Sequence, residues 1–304
     1  MNAAPLTGTS IAFIGLGLMG KPMARNLHRA GAAMTVASRS PGPVDELAGD
    51  GMTAAGSAAE AAAAIGSAGI IILMLPDTPA VEAVVADDAN ESRSILVGLQ
   101  PGALVVDMGT TDALVTRDLA AKVEAAGGHY VDAPVSGGQI GAEAGDLVIM
   151  AGGSEADIAR AMPVFGVLGK QTTRVGDVGA GQVAKACNQI IVGLNIGAVA
   201  EALALAGAAG VDPAKVREAL KGGFADSRIL EVHGQRMIDR TFAPGGKSTT
   251  QRKDMDQGLA LGRAVGLDLP ATALGRDLYD MLIEAGHGGL DHSALIKAID
   301  PDWD

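Results

Sequence analysis

The segment Gly15-Leu16-Gly17-Leu18-Met19-Gly20 directly follows the apolar run Ile11-Ala12-Phe13-Ile14 and directly precedes a helical stretch that reaches Ala30. A strand, a glycine turn and a helix in that order commit the chain to a crossover, because the next strand must return parallel to the first. In such a turn the first glycine permits the tight bend, the second lets the backbone approach a pyrophosphate, and the third lets helix and strand pack closely. The N–H groups that open the helix then form an anion site. With these flanks the motif reads as a dinucleotide-binding turn.

The first half of the chain continues the alternation. Strand-like runs at 34–37, 70–75, 104–107, 130–133 and 147–150 are separated by helical stretches such as those starting at 44 and 116. Short, wholly apolar strands interleaved with helices predict a mostly parallel sheet covered on both faces, an α/β Rossmann-type doubly wound sheet. Beyond Gly176 the periodicity is helical throughout, over 182–209, 213–220, 228–237, 253–265, 271–285 and 293–299. We therefore expect an NADP(H)-binding domain over 1–176 and an all-α substrate and oligomerisation domain over 177–304, joined by a long interdomain helix. The length of 304 residues suits two such cores.

Composition narrows the function classes. The net charge of −12 and only 4 Phe, 2 Tyr and 1 Trp argue against a nucleic-acid partner, which needs a basic groove and stacking platforms. The single Cys187 allows no intrachain disulfide, and a cytoplasmic location is expected. Residues 1–10 lack a basic leader segment, and the apolar run 11–18 is short and broken by glycine. The greasy stretch 190–209 contains Asn195, Glu201 and glycines and reads as a buried helix, so no membrane partner is expected. His28, His129, His233, His287 and His292 show no metal-ligand spacing, and no metal is expected. Cys187 reads as a small core residue, and the basic run 170–174 as a solvated domain edge.

The end of the second strand selects the cofactor. Ser38-Arg39-Ser40 offers no carboxylate for a ribose 2′-OH. An arginine between two hydroxyls suits a 2′-phosphate, so NADP(H) is preferred with NAD(H) as the alternative. Leu75-Pro76 and Thr110 lie beyond the carboxyl ends of later strands, where the nicotinamide and its ribose would be contacted. Ser136-Gly137-Gly138 places consecutive N–H groups beside a hydroxyl, a cradle for a carboxylate. Lys185 opens the long helix, with Asn188 and Gln189 about one turn on, so these side chains can line one wall. A lysine on an apolar helix either serves a site or snorkels to water.

These residues together resemble the β-hydroxyacid dehydrogenase family, which includes 3-hydroxyisobutyrate dehydrogenases and tartronate semialdehyde (2-hydroxy-3-oxopropionate) reductases. The resemblance rests on GLGLMGKPM from Gly15, LPD from Leu75, DAPVSGG from Asp132, GQVAKACNQ from Gly181 and the pair Lys253-Asp254, in the family's order across nearly the whole chain. The segments GFADSRILEVHG from Gly223 and DHSAL from Asp291 look closest to the tartronate semialdehyde reductase branch. The resemblance implies that Lys185 is the general acid/base and that Ser136, Gly137 and Gly138 hold the substrate carboxylate. It also implies that Asn188 orients substrate and lysine, and that Lys253 closes over cofactor and substrate. Thr110 and the Leu75-Pro76 turn would contact the nicotinamide portion, and Gly15 to Gly20 with Ser38, Arg39 and Ser40 the rest of the cofactor.

The chain departs from the family pattern in the polar segment 245–251, where relatives carry Gly-Phe and an apolar run, and at Gly109, Asp146 and Gln189. The expected function is an NADPH-dependent reductase of a small carboxylate-bearing semialdehyde, working as a homodimer or homotetramer. The alternatives are a dehydrogenase of a longer, threonate-like hydroxy acid or of a 3-hydroxyisobutyrate-like one, and a non-catalytic dinucleotide sensor.

Overall fold

The computed structural model describes residues 4–86 and 94–303, so part of the 1–10 reading above lies outside the described residues. The chain forms two compact units, Met1–Lys185 and Ala186–Asp304.

The first unit is built on a nine-stranded sheet of β1 (Ser10–Ile14), β2 (Ala33–Ala37), β3 (Thr53–Ala54), β4 (Ile70–Leu73), β5 (Leu104–Asp107), β6 (His129–Asp132), β7 (Val135–Ser136), β8 (Leu147–Gly152) and β9 (Gly169–Gly176). The order is β3-β2-β1-β4-β5-β6-β8-β7, with β9 paired to β8. The first six strands are mutually parallel, whereas β8 runs antiparallel to β6 and β7. Strand order reverses at β1, so a crevice opens beyond the carboxyl ends of β1 and β4. Successive side chains alternate between the two faces. Phe13, Ile72 and Val106 enter one apolar layer and Ile14, Ile71 and Val105 the other. Both faces are covered by helices, which is why β4 and β5 are wholly buried.

Three strands depart from the sequence reading. β3 and β7 are two residues long, too short for a periodic signal. The 170–174 run is the centre of β9, which pairs in parallel with β8 while most of its side chains face solvent. Lys170 there reaches Asp146 at 3.0 Å, and Arg174 donates to the Gly153 carbonyl at 3.0 Å. A charged strand at a sheet edge has no apolar face to bury, so it reads as loop.

The second unit is helical, with Pro213–Leu220, Arg228–Ile238, Ser248–Ala264 and Pro270–Leu282 as its main elements besides the long helix Ala180–Ala208. Its core gathers Ile196, Leu203, Met237, Met255, Tyr279, Leu282, Leu295 and Trp303. The helix expected from 253 begins at Ser248 because loop carbonyls take up its first N–H groups. Ser248 N–H donates to Leu290 and Thr249 N–H to Gly288. Ala180–Ala208 is long and apolar enough to cross a membrane by length and composition, with a mean hydropathy of 1.9 in its most apolar window. Ile196, Val199, Ala200 and Leu203 place one side of it in the core of the helical unit, while Ile191 and Leu205 are exposed.

Candidate functional site

The glycine turn joins β1 to the helix Gly20–Arg29. Gly15 has φ +101, and a Cβ there would collide with the Met74 carbonyl oxygen. A Cβ on Gly20 would run into the Gly15 carbonyl, while one on Gly17 would meet nothing within 4 Å. The turn is thus tight where helix meets strand and open where a pyrophosphate would approach. That combination fits a nicotinamide dinucleotide. Leu16 is buried beneath the turn, Leu18 is exposed, and Met19 is half-buried against the apolar layer.

The neighbouring strand ends lie beside it. Ile14 is in register with Ala37 and with Leu73, and Gly15 N–H donates to the Ala37 carbonyl at 3.0 Å. Ser38-Arg39-Ser40 therefore continues from the strand adjacent to the turn, with Arg39 and Ser40 exposed. Leu75-Pro76 follows β4, and the Leu75 carbonyl closely approaches Gly109, where a Cβ would come within 2.8 Å. Thr110, next along, is half-buried. Ser136 ends β7, and Gly137 and Gly138 are exposed beside it.

Lys185 is only 7% exposed, and its Nζ donates to the Val135 carbonyl at 2.8 Å. Of the two readings open from sequence, this excludes a lysine head carried out to water. The helix that bears it is held at its start by Asp132, which accepts from Gly179 N–H at 2.7 Å and from Gln182 N–H at 2.8 Å. A carboxylate there also faces the positive end of the helix dipole. Gln182, 2% exposed, accepts from Thr111 N–H and donates to the Gly109 carbonyl, both at 3.0 Å. Asp107, in register with Asp132, accepts from the Thr111 hydroxyl at 2.6 Å and from Gly109 N–H at 3.0 Å. Burial pushes the Asp107 carboxyl up to about 7, and the Asp132 charge adds to this against the Thr111 and Gly109 hydrogen bonds. Burial likewise raises Asp132 to about 6, opposed by the backbone N–H groups it accepts.

Asn188 and Lys253 belong to the second unit, where one network joins them. Asn188 donates to the Gln189 side-chain oxygen at 2.8 Å, Gln189 donates to Asp254 Oδ2 at 2.5 Å, and Lys253 pairs with Asp254 Oδ1 at 3.1 Å. Gln251 completes it by donating to the Gln189 carbonyl at 2.9 Å. Asp132, Gln182 and Asp254 lie inside continuous motifs, yet the sequence alone does not single them out. Their only signal was position, three residues from Val135 or Lys185 or next to Lys253.

Two other sequence readings change. Cys187 is exposed rather than in the core, because it lies on the helix face away from Lys185. His233, Asp291 and His292, remote in sequence, bring their ligand-type atoms within 4.8 Å of one another. Arg236 lies 3.0 Å from Asp291 Oδ2, which also accepts from Gly245 N–H, while Asp291 Oδ1 accepts from Ser293. The carboxylate thus already neutralises a guanidinium and anchors a loop, which is poor chemistry for a cation site. Burial opposes its charge, but His233, His292, Ser293 and Gly245 outweigh that and hold Asp291 well below the usual carboxylate range.

Residues 10–176 match the family model described as the NAD binding domain of 6-phosphogluconate dehydrogenase. Residues 179–299 match the model described as NAD-binding of NADP-dependent 3-hydroxyisobutyrate dehydrogenase. The 2-hydroxy-3-oxopropionate reductase of Escherichia coli K12 is 47% identical over 95% of this chain and 97% of its own. A 3-hydroxyisobutyrate dehydrogenase of Pseudomonas aeruginosa is 36% identical over 95% and 98%. The solved structure of Mycobacterium tuberculosis 3-hydroxyisobutyrate dehydrogenase with L-serine superposes with a TM-score of 0.86 at 31% identity, covering 96% of this chain and 99% of that one.

Proposed function

The chain belongs to the 3-hydroxyisobutyrate dehydrogenase family of nicotinamide-dependent oxidoreductases acting on hydroxy acids, and on that footing we propose that it interconverts tartronate semialdehyde and glycerate, with NADP(H) preferred over NAD(H). The observation that carries this reading is the buried Lys185, donating to Val135 immediately before the Ser136-Gly137-Gly138 cradle.

The turn Gly15 to Gly20, Leu75-Pro76 and Thr110 would hold the dinucleotide, with Ser38, Arg39 and Ser40 facing a ribose 2′-phosphate. When bound, its nicotinamide supplies or accepts the hydride. The Ser136 hydroxyl and the Gly137 and Gly138 N–H groups hold the substrate carboxylate. During reduction, negative charge grows on the carbonyl oxygen, and Lys185 Nζ stabilises it and delivers the proton that completes the hydroxyl. During oxidation the same nitrogen takes that proton, so it must start neutral. Asn188 orients the substrate. Lys253 adds a second positive charge for an anionic substrate, which a chain of net charge −12 must otherwise collect against its own field.

A longer, threonate-like hydroxy acid is the second reading. It is favoured by the polar segment 246–251, whose Gly246 lies beside the His292 ring, within 3.4 Å of where a Cβ would stand. We further propose a cytoplasmic homodimer or homotetramer. The exposed Ile191 and Leu205 on the long helix support association, and a monomer in sedimentation at micromolar concentration would refute it.

The test is a spectrophotometric panel following the reduced nicotinamide. It pairs NADPH and NADH with semialdehydes, and the oxidised cofactors with glycerate, threonate and 3-hydroxyisobutyrate. Fastest turnover of tartronate semialdehyde with NADPH is expected. Faster oxidation of threonate selects the second reading, and no turnover in any pairing sinks both.

A further inference from the structure

Gln182 lies one helical turn before Lys185 and is almost completely enclosed. Its side-chain amide is used at both ends. The oxygen accepts from Thr111 N–H and the nitrogen donates to the Gly109 carbonyl, each at 3.0 Å. These are the two backbone groups that flank Thr110, so a single planar amide spans that residue. The amide has one workable orientation, since reversing it sets donor against donor and acceptor against acceptor. The backbone of Gln182 is fixed independently, with its N–H on Asp132 Oδ2 at 2.8 Å. Asp132 begins the segment whose Val135 carbonyl receives Lys185 Nζ. Short links therefore run from Asp132 to Gln182, along one turn of helix to Lys185, and back through Val135, with Thr110 clasped onto the same frame.

We propose that Gln182 is a positioning residue for hydride transfer, fixing the Thr110 loop relative to Lys185. This rests on the reading of Lys185 as the acid/base. Hydride and proton must reach the two atoms of one carbonyl, so the group that places the nicotinamide end and the group that moves the proton need a common reference. A buried glutamine that only satisfied two stray backbone groups would stabilise the fold without affecting the reaction coordinate. A displacement of about 1 Å in such a frame lowers the rate by roughly 10²-fold.

The test uses Gln182→Asn, which keeps an amide but is one methylene short of spanning Thr110, and Gln182→Glu, which keeps the length and the Thr111 contact but sets oxygen against the Gly109 carbonyl. Hydride transfer is followed in single turnover by stopped flow in the full-length protein, with cofactor binding measured separately by fluorescence titration. A first-order rate constant does not depend on how much protein is folded, so a purely stabilising role would leave it unchanged. The expected result is a rate constant lowered about 10-fold or more in both variants, with the NADPH dissociation constant within about 3-fold of the parent. Rate constants within about 2-fold of the parent in either soluble variant overturn the proposal. Lys185→Met, assayed in parallel, separates the two ideas. If it transfers hydride normally, the reading of Lys185 fails; if it does not and the Gln182 variants do, only the present proposal fails.

Discussion

Lys185 Nζ donates to the carbonyl oxygen of Val135 at 2.8 Å, which ties this buried lysine to the residue preceding Ser136. A carbonyl can only accept, so this contact stabilises the lysine as a donor without offering it a counter-charge.

Replacing Lys185 by Ala or Met should lower turnover at least about 10²-fold while leaving NADPH binding within about 3-fold, because acid catalysis is lost and the cofactor contacts are not. Steady-state kinetics and fluorescence titration check this. Near-normal turnover in both variants would remove Lys185 from the chemistry.

Arg39→Ala should weaken NADPH binding about 10- to 100-fold, the equivalent of roughly 1.5–3 kcal/mol for charge-assisted hydrogen bonds to a phosphate. NADH binding should barely change. Equal losses for the two cofactors would show that Arg39 does not read the 2′-phosphate.

Gly20→Ala tests the closeness of helix and strand. Its Cβ would overlap the Gly15 carbonyl in the turn and come within 3.2 Å of the Phe13 ring in the sheet core. Overpacking of this kind destabilises by about 1–3 kcal/mol. The urea midpoint and cofactor affinity should fall together, and an unchanged midpoint would mean that the turn can relax.

The buried acids predict opposite pH limbs. Asp107 and Asp132 are raised in the folded state, so between the ordinary 3.8 and about 7 the native chain binds more protons than the unfolded one. Their contribution is complete below that window and is lost as pH rises through it. Asp291 is lowered, so its contribution is present above its ordinary value and is lost on acidification. Urea midpoints against pH should show a shallower decline toward neutrality in Asp107→Asn and a smaller acid loss in Asp291→Asn. Parallel curves for parent and variants would contradict the assignment.

Much of this was readable in the primary structure where chemistry is contiguous. β1, β4 and β5 announce themselves as short apolar runs because both faces of the sheet are covered. The glycine turn and the neighbourhood of Lys185 are continuous motifs. What escaped is either short, solvated or distant in sequence. β7 holds only Val135 and Ser136, and β9 has polar side chains with no face to bury. Asp132 meets Gln182 across fifty residues, and Gln189 meets Asp254 across 65. Such pairs carry no periodicity, since each residue answers to a backbone or amide group that only folding brings near. Cys187 shows the converse, where a residue type's average preference for the interior gave way to its position on one helix.

Arg39 stands at the end of β2 with its side chain in solvent and, among the described residues, no carboxylate paired to it. The group proposed to choose between two cofactors is therefore structurally idle in the fold itself. Exchanging it would repack no core and orphan no partner, so the proposed choice of cofactor is separable from the enclosed frame of Asp132, Gln182 and Lys185. Which redox pool such a protein draws on and what it does with it would thus rest on separate parts of one unit.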